Sequence, residues 1–330
     1  MTIRDGVLGV GAYSFTAFDA PVKLDQNESP FPLPAAVQAE LAALLSGIEL
    51  HRYPGLQARD LAAALARLHD WPEAGVTVAG GSNILIQSLV IAAGIGRTVL
   101  TVSPTFSVYA LQGRLMADRL VEVPLAADFS LPVETLEAEL ERGSGVFFLA
   151  NPAAPTGKLH PKAEIRRLKE AAGDRWLFVI DEAYQQFSGL DLSGMAREEG
   201  TVVLRTLSKA AGLAGLRLGY ALSSPELGVQ LQKVVVPFSV SALQERVALA
   251  VLEQQTELQA NVELLIRGRQ RLFSGLQALR AVEAYPSSAN FVLFRVADAA
   301  AVHAGLLEQG VLVRRQDHLP GLEGCLRVSV

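Results

Sequence analysis

The sequence has a single cysteine, Cys325, and therefore lacks the pair that an intrachain disulfide needs. This cysteine usage fits a reducing compartment. The longest apolar stretch, residues 84–95, is interrupted by polar residues and a glycine and is too short to cross a bilayer. The first 20 residues lack a basic start followed by an apolar run, so we expect no signal peptide and a cytoplasmic protein.

Charge of one sign is not concentrated anywhere in the chain. The 29 basic residues stand against 34 acidic ones, a net charge of −5. We therefore expect neither a nucleic acid nor a membrane as partner. The five histidines have no metal-ligand spacing, and neither a G-x-S-x-G elbow nor a G-x-x-x-x-G-K-[ST] loop occurs. We expect no metal site. Half of the 330 residues are hydrophobic, which is enough for a substantial core.

From residue 76 onward, short apolar runs alternate with stretches long enough for helices. The predicted strands are residues 76–78, 98–102, 146–149, 177–180 and 201–204, and the predicted helices between them are residues 82–93, 161–172 and 191–199. This alternation is typical of a largely parallel sheet that is covered on both faces. Before it, the composition predicts helices over residues 35–45 and 59–69, and a proline-rich extended arm over residues 25–34.

After residue 240 the pattern changes. Residues 241–279 predict one or two long helices, and strands follow at residues 290–294, 311–314 and 325–330. We predict an α/β protein in three parts. An N-terminal arm over residues 1–45 joins the small domain, a large domain covers residues 46–240, and a smaller α+β domain covers residues 241–330.

Ligands of such sheets bind beyond the carboxyl ends of the strands. At one end, Gly80-Gly81-Ser82-Asn83 leads into a helix whose free N–H groups favour a phosphate, unless Ser82 or Asn83 simply caps that helix. At another, Asp181 closes an apolar strand, where a carboxylate is costly without a cationic partner. The alternative role for Asp181 is also a helix cap.

Lys209 is the one lysine of six that directly follows an apolar strand at the predicted sheet edge. A partly desolvated lysine there can form an imine with an aldehyde, although an isolated lysine is more often a solvated surface group. Arg217 follows eight residues later, after two glycines, and its guanidinium fork suits a phosphate.

Together these segments resemble the fold-type I, class I/II aminotransferases, and among them the histidinol-phosphate aminotransferase branch. The matching segments, in family order, are Asn27-Glu28-Ser29-Pro30, Arg52-Tyr53-Pro54, Gly81-Ser82-Asn83, Ser103-Pro104-Thr105-Phe106, Pro155-Thr156-Gly157, Asp181-Glu182-Ala183-Tyr184, residues 205–210, residues 212–220, Ala289-Asn290-Phe291 and Cys325-Leu326-Arg327-Val328. The resemblance implies a large domain with a mostly parallel sheet, a smaller α+β domain and pyridoxal 5′-phosphate as cofactor.

The resemblance also implies a role for each matching residue. Lys209 forms the Schiff base with the cofactor and moves the proton during catalysis. Around the cofactor, Asp181 pairs with the ring nitrogen, Tyr184 bonds the ring hydroxyl, Phe106 stacks on the ring, and Ser82, Asn83, Ser208 and Arg217 hold the phosphate. Tyr53 reaches the neighbouring site of a homodimer, and Arg314 and Arg327 bind the anionic end of the substrate. The alternative for these two arginines is an ion pair with Glu308, Asp317 or Glu323.

Two positions depart from the family pattern. Ala154 stands where relatives have an asparagine that bonds the ring hydroxyl, so that role passes to Tyr184, to Asn151 or to a water. The chain ends at Val330, where relatives continue into a closing helix, and we expect it to be either naturally short or trimmed.

Several activities fit this resemblance. The favoured one is transamination between histidinol phosphate, a phosphorylated amine, and the 2-oxo acid 2-oxoglutarate. The alternatives are a threonine-phosphate decarboxylase, which is a lyase on the same scaffold, and an aminotransferase for another amino acid. A cofactor-sensing regulator would need an attached DNA-binding helix-turn-helix, for which we expect no room in this chain.

Overall fold

The structure is a computed structural model that describes residues 2–11 and 18–330, so residue 1 and residues 12–17 of the predicted arm lie outside the described residues. The strands are β1 (Val22–Lys23), β2 (Val76–Ala79), β3 (Thr98–Ser103), β4 (Arg119–Pro124), β5 (Gly145–Ala150), β6 (Trp176–Asp181), β7 (Thr201–Thr206), β8 (Gly219–Leu222), β9 (Glu283–Ala284), β10 (Phe291–Arg295), β11 (Val311–Leu312), β12 (Arg314–Arg315) and β13 (Cys325–Ser329). The α-helices are α1 (Asp5–Leu8), α2 (Ala35–Ser46), α3 (Arg59–His69), α4 (Ser82–Ala93), α5 (Ser107–Met116), α6 (Val133–Arg142), α7 (Lys162–Ala172), α8 (Pro225–Leu231), α9 (Ala242–Leu252), α10 (Gln255–Gln277) and α11 (Ala299–Glu308).

The largest sheet has seven strands in the order β2-β8-β7-β6-β5-β3-β4. Its strands β3 to β7 are parallel, and β8 runs antiparallel to both of its neighbours. All five strands predicted for this region are present, and β5 and β7 are buried along their whole length. Burial on both faces explains why these strands are continuous apolar runs. The prediction of an α/β fold with a mostly parallel sheet is confirmed.

Helices cover both faces of this sheet and enclose two separate cores. In β5, Phe147 and Leu149 belong to one core, whereas Val146 and Phe148 belong to the other. The first core also takes side chains from α2, α3, α6, α7 and α9, and the second takes side chains from α4, α5 and α8. Successive strand residues point to opposite faces, so each strand contributes to both cores. The parallel strands run in the same direction, so they all end on the same edge of the sheet, between two layers of helices.

A second sheet has the strand order β12-β13-β10-β9 and packs against α10 and α11. The arm strand β1 pairs in parallel with β11. The predicted strand over residues 311–314 is therefore wrong as a single element, because β11 and β12 pair in different sheets. The helical region over residues 241–279 is two helices, α9 and α10, and the region predicted as a helix over residues 191–199 holds only a short 3-10 helix, Ser193–Arg197.

The domain limits at residues 45 and 240 remain a proposal. Helices α2 and α9 contribute Val37 and Val247 to a core of the seven-stranded sheet, which favours counting both helices with the larger domain. Within the described residues, no helix combines the length and apolar character that a membrane span requires.

Candidate active site

A cavity of about 320 Å³ lies at the carboxyl ends of the parallel strands, between the large sheet and the small one. All the predicted site residues except Tyr53 line it. They are Ser82, Asn83, Phe106, Asp181, Tyr184, Ser208, Lys209, Arg217, Arg314 and Arg327. The arm adds residues 25–27 to the lining, and α5 adds Tyr109. The cavity thus brings together residues that are up to 302 positions apart in sequence.

Lys209 lies in the turn after β7, and its Nζ donates a hydrogen bond of 2.8 Å to the carbonyl oxygen of Gln26. The amine also lies 6.0 Å from the centre of the Tyr184 ring. Burial, followed by the charge of Arg327, lowers the pKa of Lys209 to about 8. A larger fraction of this amine is therefore unprotonated near neutral pH than of a surface lysine, which suits it to attack an aldehyde.

Asp181 ends β6 and is buried at the floor of the cavity. The Tyr109 hydroxyl donates to its Oδ2 at 2.6 Å, and the Ala183 N–H donates to its Oδ1 at 3.0 Å. Burial raises the pKa of Asp181, while these two hydrogen bonds act in the opposite direction. A cation in the cavity, such as a protonated ring nitrogen, would offset this burial.

Sequence reasoning missed Tyr109 as a partner of Asp181. The ring of Tyr109 stacks on Phe148 with centroids 4.9 Å apart, and Phe106 meets it edge-on at 5.6 Å. The only signal in the sequence is a tyrosine on the buried face of α5, three residues after Phe106.

The start of α4 forms a concave surface that is suited to an anion. No side chain of the described residues caps the helix, because Gly81 is its N-cap, so the predicted alternative of a Ser82 or Asn83 cap is wrong. Gly81 has a φ of 103°, and a Cβ added there would lie 2.8 Å from the Arg217 guanidinium. Arg217 Nη1 donates to Ser208 Oγ at 3.4 Å. Free helix N–H groups, a hydroxyl and a guanidinium are the donors that a phosphate requires.

Tyr184 is buried beside Ala154, in a small core with Phe291. Its hydroxyl accepts a hydrogen bond of 2.9 Å from Asn27 Nδ2. Asn151 does not replace the asparagine that is missing at Ala154: its amide donates to the His160 carbonyl oxygen and accepts from the His160 N–H. Of the side chains considered for the ring hydroxyl, Tyr184 is the one that lines the cavity.

Arg314 and Arg327 line the cavity from strands of the small sheet. They are register partners on the antiparallel strands β12 and β13. Arg327 Nη2 donates to the Asp25 carbonyl oxygen at 2.8 Å, and its guanidinium lies 5.2 Å from the centre of the Phe291 ring. Asp317, one of the alternative partners, pairs with Arg315. Both arginines line the cavity, and guanidinium groups are suited to bind the phosphate or carboxylate of a ligand there.

Tyr53 lies outside the lining of the cavity in its own chain. Its side chain is 85% exposed, and its ring is 5.1 Å from that of Phe238. Leu50 and Val236, in the same two loop regions, are also exposed. Among the described residues, no group of three or more His, Cys, Asp or Glu side chains is placed to hold a metal ion.

The sequence profile of the family described as "Aminotransferase class I and II" matches residues 20–330. The chain belongs to this family. Class I and II aminotransferases depend on pyridoxal 5′-phosphate. The residues of this aminotransferase fit the cofactor, because one cavity holds an amine with a lowered pKa, a buried carboxylate and a cradle for a phosphate.

The aminotransferase is similar over 99% of its length to several histidinol-phosphate aminotransferases. It is 44% identical to the histidinol-phosphate aminotransferase of Deinococcus radiodurans, over 99% of this chain and 92% of that protein. The crystal structure of the histidinol-phosphate aminotransferase of Sinorhizobium meliloti, in complex with pyridoxal 5′-phosphate, superposes with a TM-score of 0.89 at 25% identity and covers 100% of this chain and 93% of that one. The L-threonine-O-3-phosphate decarboxylase of Porphyromonas gingivalis shares the fold, with a TM-score of 0.79 at 22% identity over 94% of each chain.

Proposed function

We propose that this aminotransferase transfers the amino group of histidinol phosphate to 2-oxoglutarate, a reaction of histidine biosynthesis. The observation that carries the proposal is the pair Arg314 and Arg327, which line the same cavity as Arg217 but belong to strands of the small sheet. One anion site serves the phosphate of the cofactor, and the other serves the phosphate of the amine or the carboxylate of the 2-oxo acid. The similarity to the Deinococcus radiodurans enzyme supports the same reading.

We propose a role for each site residue. When bound, pyridoxal 5′-phosphate supplies an electron sink for the bonds at the substrate α-carbon. Lys209 holds the cofactor and moves the proton between that carbon and the cofactor, and burial keeps its amine available as a base. Asp181, oriented by Tyr109, keeps the ring nitrogen protonated. Tyr184 donates to the ring oxygen, Phe106 covers the ring face, and Ser82, Asn83, Ser208 and Arg217 bind the phosphate.

A panel of amino donors tests the substrate. We expect histidinol phosphate to convert the loaded enzyme to its amine form in a single turnover, at a rate well above those for aspartate, phenylalanine or leucine. Stopped-flow loss of the visible band measures this half-reaction, and 2-oxoglutarate should restore the band. If an unphosphorylated amino acid reacts faster than histidinol phosphate, the proposed substrate is wrong.

The decarboxylase alternative is tested by measuring carbon dioxide release from threonine phosphate. The fold alone does not separate the two activities, since the Porphyromonas gingivalis decarboxylase shares it. Both substrates carry a phosphate that suits the arginine pair. We expect threonine phosphate to release no carbon dioxide above background, and release at a rate comparable to the histidinol phosphate reaction would favour the lyase.

We further propose a cytoplasmic homodimer in which Tyr53 binds the cofactor phosphate of the partner's site. The contact between the exposed rings of Tyr53 and Phe238 supports this, together with the exposed Leu50 and Val236 in the same two loop regions, because a group of exposed apolar residues often marks a surface that another protein covers. The single buried cysteine is compatible with a reducing compartment.

Complementation between two inactive variants tests the shared site. Lys209→Ala and Tyr53→Ala subunits, each poorly active alone, should regain about a quarter of wild-type activity when unfolded together and refolded. About half of randomly assorted dimers are mixed, and each mixed dimer has one complete site. Activity no higher than the mean of the two parents, or sedimentation of an active monomer, would contradict the shared site.

A further inference from the structure

Asn27, in the arm, makes four hydrogen bonds to residues that are distant in sequence. It is 1% exposed and has a φ of 54°, a conformation that asparagine tolerates better than most residues. Its backbone N–H donates to Ser329 Oγ at 2.8 Å, and its carbonyl oxygen accepts from Asn290 Nδ2 at 3.1 Å. These bonds hold the arm residue against the two central strands of the small sheet.

The side chain of Asn27 connects this anchor to the candidate site. Ser329 Oγ donates to Asn27 Oδ1 at 3.2 Å, which keeps the amide nitrogen turned toward Tyr184. That nitrogen donates to the Tyr184 hydroxyl at 2.9 Å. An amide N–H₂ is only a donor, so Tyr184 accepts this bond and its own proton is directed elsewhere. Since Tyr184 lines the cavity, the proton is available to a group bound there.

The hydrogen bond from Asn27 to Tyr184 matters more in this chain because Ala154 offers no side-chain donor to the ring oxygen of the cofactor. Ala154 lines the same cavity, and the amide of Asn151 is occupied by the His160 backbone. A hydroxyl that accepts one hydrogen bond becomes a stronger donor in the next, because the two bonds polarise each other. Tyr184, polarised by the hydrogen bond from Asn27, can therefore partly replace the hydrogen bond that an asparagine at position 154 would donate to the ring oxygen.

We infer that Asn27 is a positioning residue for the cofactor: it orients the hydroxyl of Tyr184 so that its proton points to the ring oxygen of pyridoxal 5′-phosphate. The inference rests on cofactor binding at this site and not on the choice of substrate. Asn27 acts through Tyr184, because its amide donates to the tyrosine hydroxyl.

The electrostatics around Tyr184 agree with this geometry. Burial raises the pKa of Tyr184, whereas the positive charge of Arg327 and the hydrogen bond from Asn27 lower it. Asp181 raises it further, and the Lys209 amine lies 6.0 Å from the ring. Loss of Asn27 therefore makes Tyr184 a weaker donor and leaves the ring oxygen less stabilised as an anion.

Spectrophotometric titration of the loaded enzyme tests the inference. A less stabilised ring oxygen attracts the proton of the lysine-bound cofactor more strongly, so Asn27→Gly should raise the apparent pKa of the visible band. Glycine suits the φ of 54° at this position. In a Tyr184→Phe background the same substitution should cause no further shift. Ala154→Asn supplies the missing donor and should lower the apparent pKa in the wild type.

The cofactor-free protein gives a second measurement. Asn27→Gly should lower the affinity for pyridoxal 5′-phosphate relative to its 3-deoxy analogue by roughly 2- to 12-fold, the equivalent of one hydrogen bond. Asn290→Ala is the matched control: it removes the hydrogen bond to the Asn27 carbonyl oxygen but leaves the side chain of Asn27, with its bonds to Ser329 and Tyr184, in place. It should lower Tm with a much smaller change in the affinity ratio.

The possible results distinguish failure of the role of Asn27 from failure of the proposed function. A normal wild-type band, with an unchanged titration and affinity ratio in Asn27→Gly, overturns the role of Asn27 alone. A lowered Tm in Asn27→Gly, with the same small spectral change as in Asn290→Ala, reduces Asn27 to a structural anchor and also overturns it. If the wild-type protein develops no visible band with pyridoxal 5′-phosphate, both this inference and the proposed function are wrong.

Discussion

Lys209→Ala should abolish the visible band of the lysine-bound cofactor and lower single-turnover transamination by more than about 10⁴-fold. One positioned proton-transfer group alone contributes up to about that factor, and here the same amine also makes the covalent bond. No second lysine is close enough to take over, because Lys209 is the one lysine among the described residues that line the cavity. Absorbance and rapid-quench assays of the variant measure both effects.

Two controls separate chemistry from folding in this experiment. Lys209→Arg keeps a cation beside the Gln26 carbonyl oxygen but cannot form the imine, so it should be as inactive as the alanine variant. Lys233→Ala removes a lysine whose Nζ bonds Gln230 on the surface and should leave both readouts unchanged. An alanine variant at position 209 that keeps the band would refute the assignment of Lys209.

The lowered pKa of Lys209 predicts how the rate of cofactor capture depends on pH. The unprotonated amine is the reactive form, so the rate at which the cofactor-free protein captures pyridoxal 5′-phosphate should rise with pH and level off above about 8. A surface lysine would still gain reactivity well above that pH. Stopped-flow measurements of band formation between pH 6 and pH 10 distinguish the two profiles.

Arg327→Ala should raise KM for histidinol phosphate by about 10- to 150-fold, which is the range of 1.5–3 kcal/mol expected for one lost hydrogen bond to a charged group. The effect should fall on KM more than on kcat, because the arginine holds an end of the substrate that does not react. Arg314→Ala should act in the same direction, since the two residues are register partners.

Arg315→Ala is the matched control for both arginine variants. Arg315 lies on β12 beside Arg314, but its side chain is 46% exposed and pairs with Asp317. Arg327 also donates to the Asp25 carbonyl oxygen, so its loss is expected to lower Tm as well. A lower Tm with an unchanged KM would show that Arg327 is a structural residue.

The parallel strands and the residues that end them could be predicted from the sequence. A strand buried on both faces must be an unbroken apolar run, so the polar residue that ends it marks the sheet edge, as Asp181 does after β6. Strands β4 and β8 escaped prediction for physical reasons. Strand β4 lies at the edge of the sheet, and only one of its six residues is buried, whereas β8 is four residues long and begins with a glycine, which weakens the strand signal.

The supporting residues of the site could not be predicted in the same way. Tyr109 reaches Asp181 across 72 positions and Asn27 reaches Tyr184 across 157, so only the tertiary structure brings each pair together. The Gln26 carbonyl oxygen that bonds Lys209 is a backbone atom, which any residue type would provide. The family resemblance predicts the residues proposed to bind the cofactor, whereas the residues behind them become visible only in the tertiary structure.

The contact between the arm and β13 also constrains how the enzyme is made. Asn27 bonds Ser329, and Arg327 bonds Asp25, each across 302 positions. A nascent chain that has emerged only as far as α10 already contains Lys209 and Asp181, but it lacks the strand that orders residues 25–27. Long-range closure of this kind is slow and comes late in folding. Capture of the cofactor in its final geometry is therefore expected only after β13 has been synthesised and has paired with the arm.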